Sequence, residues 1–149
     1  MVSIDQIKEL REQTGISISE CRKALTESDG DIDKARILLK EWGKDVAQKK
    51  QAREVDEGLI DAYLHTNGKV GVLIDVGCET DFVAKTDDFK SLVHEFAMQV
   101  ASMKPEDVPE LLEQQYIKDS SKTIQDVLQE SIAKFGENIV IQRFTRFEV

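Results

Sequence analysis

Leu59-Ile60-Asp61-Ala62-Tyr63-Leu64-His65-Thr66-Asn67-Gly68-Lys69-Val70-Gly71-Val72-Leu73-Ile74-Asp75-Val76-Gly77-Cys78 is the stretch that decides the fold class. Residues 59–66 alternate apolar side chains at the period of a half-buried strand. Asn67-Gly68 follows, the strongest short-range signal for a tight hairpin, because both residue types tolerate positive φ. Residues 69–78 are then the returning strand. Further on, Phe89, Leu92, Val93, Phe96, Ala97 and Val100 recur at helical spacing over residues 86–103, with Thr86 or Asp87 as cap. Pro105 and Pro109 end that run. A weaker helix is expected around residues 110–117, a clearer one over 123–135, and after Gly136 a closing strand over 138–149. Residues 55–149 are therefore expected to form an α+β module, a small antiparallel sheet with packed helices.

The chain before it has a different texture. Ser3 and Gln6 have the spacing of a capping box ahead of Ile4, Ile7 and Leu10, and Ser17 and Glu20 repeat the device ahead of Ile18, Cys21, Ala24 and Leu25. Thr14-Gly15 ends the first helix and Asp29-Gly30 the second. Asp31 caps a third, whose stripe is Ile32, Ala35, Leu38, Leu39 and Trp42. Residues 1–42 are expected to close into a three-helix domain with a small core. Residues 43–54, rich in Lys, Gln and Ala without a continuous apolar stripe, read as a solvated helical linker.

Composition narrows the function classes. The 149 residues include 20 basic and 29 acidic side chains, for a net charge of −9. Residues 1–54 carry 11 of each sign, so the whole net charge falls on residues 55–149. Neutralising phosphates needs a basic face, so direct nucleic-acid binding is not expected and a protein partner is. No apolar run approaches the roughly 20 residues of a membrane-spanning helix, and the N-terminus has neither a signal-peptide nor a presequence pattern. Two cysteines, Cys21 and Cys78, are too few for a disulfide scaffold. A chain that begins at residue 1 and stays in a reducing cytoplasm is expected.

No phosphate loop is present, and Gly68-Lys69-Val70-Gly71 sits in the hairpin. His65 and His94 lack partners at metal-ligand spacing and read as structural or solvated. Cys21 lies on an apolar helix face, and Cys78 ends a strand where only a helix N-terminus can activate it. Asp75, Glu79 and Asp81 invite a cation-site reading, but strand alternation and the following turn scatter them. No metal, cofactor or catalytic residue is expected. The unusual segment is Gly77-Cys78-Glu79-Thr80-Asp81-Phe82-Val83, between a buried strand and a long helix. Phe82 is either a staple packing the helix start onto the sheet or an exposed aromatic offered to another protein. Periodicity alone favours the staple.

Several of these strings resemble one family. Glu9-Leu10-Arg11-Glu12-Gln13-Thr14-Gly15, Cys21-Arg22-Lys23-Ala24-Leu25-Thr26-Glu27 and Gly30-Asp31-Ile32-Asp33-Lys34-Ala35 resemble the N-terminal domain of bacterial elongation factor Ts. Thr80-Asp81-Phe82-Val83-Ala84-Lys85 is similar to that family's most diagnostic string, and Gly136-Glu137-Asn138-Ile139 to its closing strand. The motifs run in the family's order over essentially the whole chain.

The resemblance implies a ubiquitin-associated-like N-terminal domain, a core module, and exchange of GDP for GTP on elongation factor Tu without chemistry on any substrate. It implies that Thr80, Asp81, Phe82 and Val83 reach the magnesium and nucleotide region of that GTPase. Arg11, Thr14, Gly15, Ile18 and Ser19 would form the contact of the first domain, with Phe135 and Gly136 as a further contact. Two departures stand out: Ile18 and Ser19 replace bulky Met residues of longer members, and the second core half and coiled-coil insertion of those members are missing. Short members pair two chains, which implies a homodimer here, with an edge of the small sheet as its seam. The alternative is a ubiquitin-associated-like adaptor that binds protein and leaves nucleotides alone.

Overall fold

The computed structural model describes residues 1–149 and contains helices α1 (Ile4–Thr14), α2 (Ile18–Glu27) and α3 (Ile32–Lys50), then strands β1 (Glu57–Leu64) and β2 (Val70–Cys78). Short α4 (Asp81–Ala84), long α5 (Asp87–Met103) and α6 (Val108–Glu113) follow, then strands β3 (Gln115–Tyr116) and β4 (Asp119–Thr123), helix α7 (Ile124–Phe135) and strand β5 (Ile139–Glu148). The fold class is α+β. Two compact units divide the chain: residues 1–51 with 129–136, and residues 52–128 with 137–149.

In the first unit all three predicted N-caps form, at Ser3, Ser17 and Asp31; Ser3 and Gln6 close the full capping box, whereas the Glu20 carboxylate takes the Ser17 hydroxyl. Ser3 accepts the Gln6 N–H while the Gln6 amide oxygen accepts the Ser3 N–H, and Ser17 accepts the Glu20 N–H. Ile7, Leu10, Cys21, Ala24, Leu25, Ala35 and Leu39 make the core, flanked by Ile32, Leu38 and Trp42. Ile18 is a correction: the sequence puts it on the apolar face of α2, yet it is half exposed, because it opens the helix before the stripe closes. Residues 43–50 are helical as expected, but as the continuation of α3 and with one face buried rather than solvated throughout. Gly43 and Ala47 are buried, and a Cβ on Gly43 would stand 3.4 Å from the Ala133 methyl of α7. A stripe of small residues buries a helix face that an inventory of large apolar residues overlooks.

In the second unit the sheet order is β1-β2-β5, antiparallel throughout. Val72, Ile74, Val76 and Cys78 of β2, with Ile139 and Ile141 of β5, are buried and share the face on which α5 lies. Helix α5 contributes Phe89, Val93, Phe96, Ala97 and Val100, all fully buried. The other face stays open. The β1–β2 turn is longer than the sequence suggests: Gly68 alone takes positive φ (70°), while His65 accepts the Gly68 N–H and the Asn67 carboxamide accepts the Lys69 N–H. Asn67 reaches across the turn with its side chain instead of adopting the left-handed conformation.

The helix expected around 110–117 stops at Glu113, and residues 115–123 form a small hairpin that the sequence reading missed. Its anchor is Gln99 of α5, wholly buried. The Gln99 amide group donates to the Gln115 carbonyl, and its oxygen accepts the Ile117 N–H. Tyr116 donates its hydroxyl to Glu95, which also holds Lys118.

Candidate functional site at the strand–helix junction

Strand β2 ends at Cys78 and the chain turns into α4 within two residues. Thr80 makes that turn. Its backbone is extended, and its side-chain oxygen accepts the Val83 N–H as the helix cap. The hydroxyl proton of Thr80 is directed to Glu137 Oε2, 2.6 Å away. Glu137 Oε1 accepts the N–H groups of both Glu79 and Thr80, at 3.1 and 3.0 Å. In return Glu79 accepts the Asn138 N–H at 2.7 Å and faces Arg53, whose carbonyl accepts from the Asn138 side chain. Cys78 adds a thiol donated to the Thr80 carbonyl at 3.2 Å.

This lattice leaves one apolar group outside it. Phe82 is 82% exposed, so the staple that periodicity favoured does not form. With α4 only four residues long, Ala84 packs inward while Phe82 faces solvent. A large aromatic ring in water on a firmly hydrogen-bonded turn is not a core element, and such a ring is the kind of group that can anchor a contact with another protein. Asp81 beside it pairs with Lys85 at 3.0 Å, and the Lys85 ammonium holds its carboxyl below the usual carboxylate range.

Other candidates resolve into structural roles. Cys78 is buried and its thiol is pushed up to about 11, mainly by desolvation and secondarily by the Glu137 charge; burial also raises Cys21. Neither is poised as a thiolate. His94 pairs with Asp61 at 3.0 Å, and His65 with the Tyr63 hydroxyl at 3.1 Å. Asp75 pairs with Arg143 on the open sheet face, Glu79 with Arg53 and Asn138, and Asp81 with Lys85, so the three carboxylates do not converge. No group of three or more His, Cys, Asp or Glu side chains is arranged to hold a metal ion.

The first unit gathers the remaining predicted residues. Gly15 takes φ 70° and donates its N–H to the Arg11 carbonyl, closing α1 with a left-handed cap. The Thr14 hydroxyl donates to the Leu10 carbonyl and accepts the Ile16 N–H, and Ser17 and Ser19 hydroxyls meet at 3.1 Å. A Cβ on Gly15 would lie 3.1 Å from the Lys134 side chain, which places the α1–α2 turn beside the end of α7. Phe135 is half-buried there and Gly136, with φ 72°, terminates the helix. Arg11, Ile18 and Ser19 are exposed around this turn.

The family described as Elongation factor TS matches residues 79–149, the span from the Glu79–Phe82 junction to the chain end. Elongation factor Ts of Thermoanaerobacter sp. (strain X514) is 44% identical, over 99% of this chain and 95% of its own length. The chain belongs to the elongation factor Ts family. The proteins of that name from Coprothermobacter proteolyticus and Thermotoga neapolitana are each 44% identical as well, over 98% and 99% of this chain. Membership places the chain among the elongation factors of protein biosynthesis. The Thermoanaerobacter alignment runs over 193 positions against 149 residues here, so that relative carries internal residues with no counterpart in this chain. No helix is long and apolar enough to cross a membrane.

Residues that sequence reasoning left without a role, Glu137, Asn138, Glu79 and Arg53, turn out to build the junction. Glu137 and Asn138 stand in the Gly136-Glu137-Asn138-Ile139 string, but nothing local in that string says that its carboxylate caps a turn 57 residues earlier.

Proposed function

We propose that this chain is a guanine-nucleotide exchange factor for elongation factor Tu, acting by insertion of the Asp81-Phe82 turn near the magnesium and nucleotide site of that GTPase. The observation that carries this is the 82% exposed Phe82 ring on a turn held by Glu137 and Thr80. Exchange makes and breaks no covalent bond. A partner that weakens GDP binding must itself bind the GDP-free GTPase more tightly by the same factor. Tight nucleotide binding rests on Mg²⁺ bridging phosphate oxygens and on loops held in one arrangement. A ring wedged beside those loops disturbs that geometry, and each ~1.4 kcal/mol removed from the dissociation barrier speeds release about tenfold. An aromatic anchor buried at an interface can supply on the order of 2 kcal/mol or more.

Thr80 and Val83 fix the turn, while Arg11, Thr14, Gly15, Ile18 and Ser19, with Phe135 and Gly136 beside them, supply the docking contact that keeps the wedge in reach. The proximity of Gly15 to Lys134 supports treating these as one surface. The complex is cytoplasmic and involves no direct contact with nucleic acid or membrane.

A second copy of this chain covers the open sheet face. Ile60 (61% exposed), Leu73 (50%) and Phe147 (75%) stand on that face around the Asp75–Arg143 pair. The face carries one residue of each sign beside its apolar side chains, so it has the composition that a self-complementary two-fold contact needs. The face suits pairing better than an edge, because the apolar area lies there. The test of exchange is release of a fluorescent GDP analogue from elongation factor Tu: acceleration by catalytic amounts of this chain, with the nucleotide recovered intact, is the expected result, and an unchanged release rate overturns the proposal.

A further inference from the structure

We infer that Glu137 is the positioning residue for the Phe82 wedge, an inference that rests on the exchange reading for its functional consequence but not for its structural content. Three donors converge on this one carboxylate: the Glu79 N–H, the Thr80 N–H and the Thr80 hydroxyl. Each does something different to the turn. The two N–H groups belong to Glu79, the first residue after β2, and to Thr80, the cap of α4, and both lie beyond Cys78, where the pairing with β1 and β5 ends. Left unpaired in a half-buried junction, they would let the chain swing between strand and helix. The hydroxyl contact settles a rotor. A Thr hydroxyl has one proton and two lone pairs, so sending the proton to Glu137 leaves a lone pair for the Val83 N–H. The helix cap of α4 is therefore oriented by a side chain outside α4.

A second tie runs the opposite way. Glu79 accepts the N–H of Asn138, the residue after Glu137, and the Asn138 side chain donates to the Arg53 carbonyl. Each segment thus accepts from the other, Glu137 from the Glu79 and Thr80 N–H groups and Glu79 from the Asn138 N–H, as a pair of clasps does. Asn138 is buried and Thr80 is half-buried, so water competes poorly for these bonds. Phe82 has no such constraint of its own: it is exposed, and α4 has a single turn. Its direction is inherited from Thr80, and that of Thr80 from Glu137. The geometry makes Glu137 a residue that acts through Phe82.

A double-mutant cycle with Phe82→Ala tests this, because it separates an effect transmitted through the ring from a general loss of structure. The readout is the maximal rate of GDP-analogue release from elongation factor Tu at saturating exchange factor, together with the half-saturating concentration. Glu137→Ala is expected to lower the maximal rate about tenfold with little change in half-saturation. In the Phe82→Ala background the same change should have almost no further effect. Glu137→Gln, which keeps an oxygen for the two N–H groups but offers the Thr80 hydroxyl a donor in place of an acceptor, should fall between wild type and Glu137→Ala. Equal losses from Glu137→Ala in both backgrounds, or a full rate in Glu137→Ala, would overturn the inference. Amide hydrogen exchange on the same proteins keeps it testable apart from the GTPase. Faster exchange at Glu79, Thr80 and Val83 in Glu137→Ala, with the β1–β2 amides unchanged, supports the positioning role even if wild type fails to accelerate GDP release. Unchanged protection at those three amides overturns it.

Discussion

Thr80 and Glu137, 57 residues apart in sequence, are joined by two hydrogen bonds, one from the Thr80 N–H at 3.0 Å and one from its hydroxyl at 2.6 Å. The first fixes where β2 ends and the second fixes how α4 begins. The exposed Phe82 ring is displayed from the turn between them.

Thr80→Ala should therefore destabilise the second unit by about 1 kcal/mol, the usual cost of losing a side-chain helix cap. Urea unfolding followed by far-UV circular dichroism measures it. Thr80→Ser, which keeps the hydroxyl, should recover most of the loss.

The junction also shows what was legible in the sequence. The α+β class, the two caps at Ser3 and Ser17 and the hydrophobic face of α5 were read correctly, because each is a local pattern of spacing or capping. Phe82 was harder: its spacing fits a helix face equally well whether the face is buried or bare, and only the four-residue length of α4 shows which. Residues 115–123 were missed for a related reason. Their pairing is short, and it is anchored by Gln99 and Glu95, polar residues on a helix that periodicity treats as background. Glu137 belongs to a motif string and still shows no role there, since a carboxylate's partners across 57 residues leave no trace in local sequence.

Gln99→Leu should loosen that hairpin. The leucine fills the buried space but leaves the Ile117 N–H and the Gln115 carbonyl without their partners, at a cost of about 1–3 kcal/mol. Equilibrium unfolding gives the total, and faster amide exchange at Ile117 locates it.

Tyr116 makes stability depend on alkaline pH. Burial, and then the hydrogen bond to Glu95, raise its phenol above the ordinary value of 10.0. The unfolded chain ionises near that value while the folded chain stays neutral. The stability due to the neutral phenol is thus complete below pH 10 and is lost as pH rises above it. Urea midpoints at successive pH values should fall more steeply for wild type than for Tyr116→Phe above pH 10, with the two curves parallel below it. The thiols contribute equally to both proteins, so the difference belongs to Tyr116.

The open sheet face carries the pairing proposal. Sedimentation equilibrium should give twice the 16.9 kDa chain mass for wild type and the single-chain mass for Leu73→Lys. Leu73 is half exposed, so the substitution should leave the fold of each chain intact. A wild type that remains single at every concentration would remove the second copy from the account.

The most direct test of the central claim is stopped-flow release of a fluorescent GDP analogue from elongation factor Tu, comparing wild type with Phe82→Ala. Because the ring is 82% exposed, the variant should unfold within about 0.5 kcal/mol of wild type, so any change in rate reports on function. Strong acceleration by wild type that drops about tenfold or more in the folded variant, the loss that ~1.4 kcal/mol of wedge contribution produces, is the predicted result. Equal acceleration by both proteins would contradict the assignment of the wedge to Phe82, and no acceleration by wild type would contradict exchange itself.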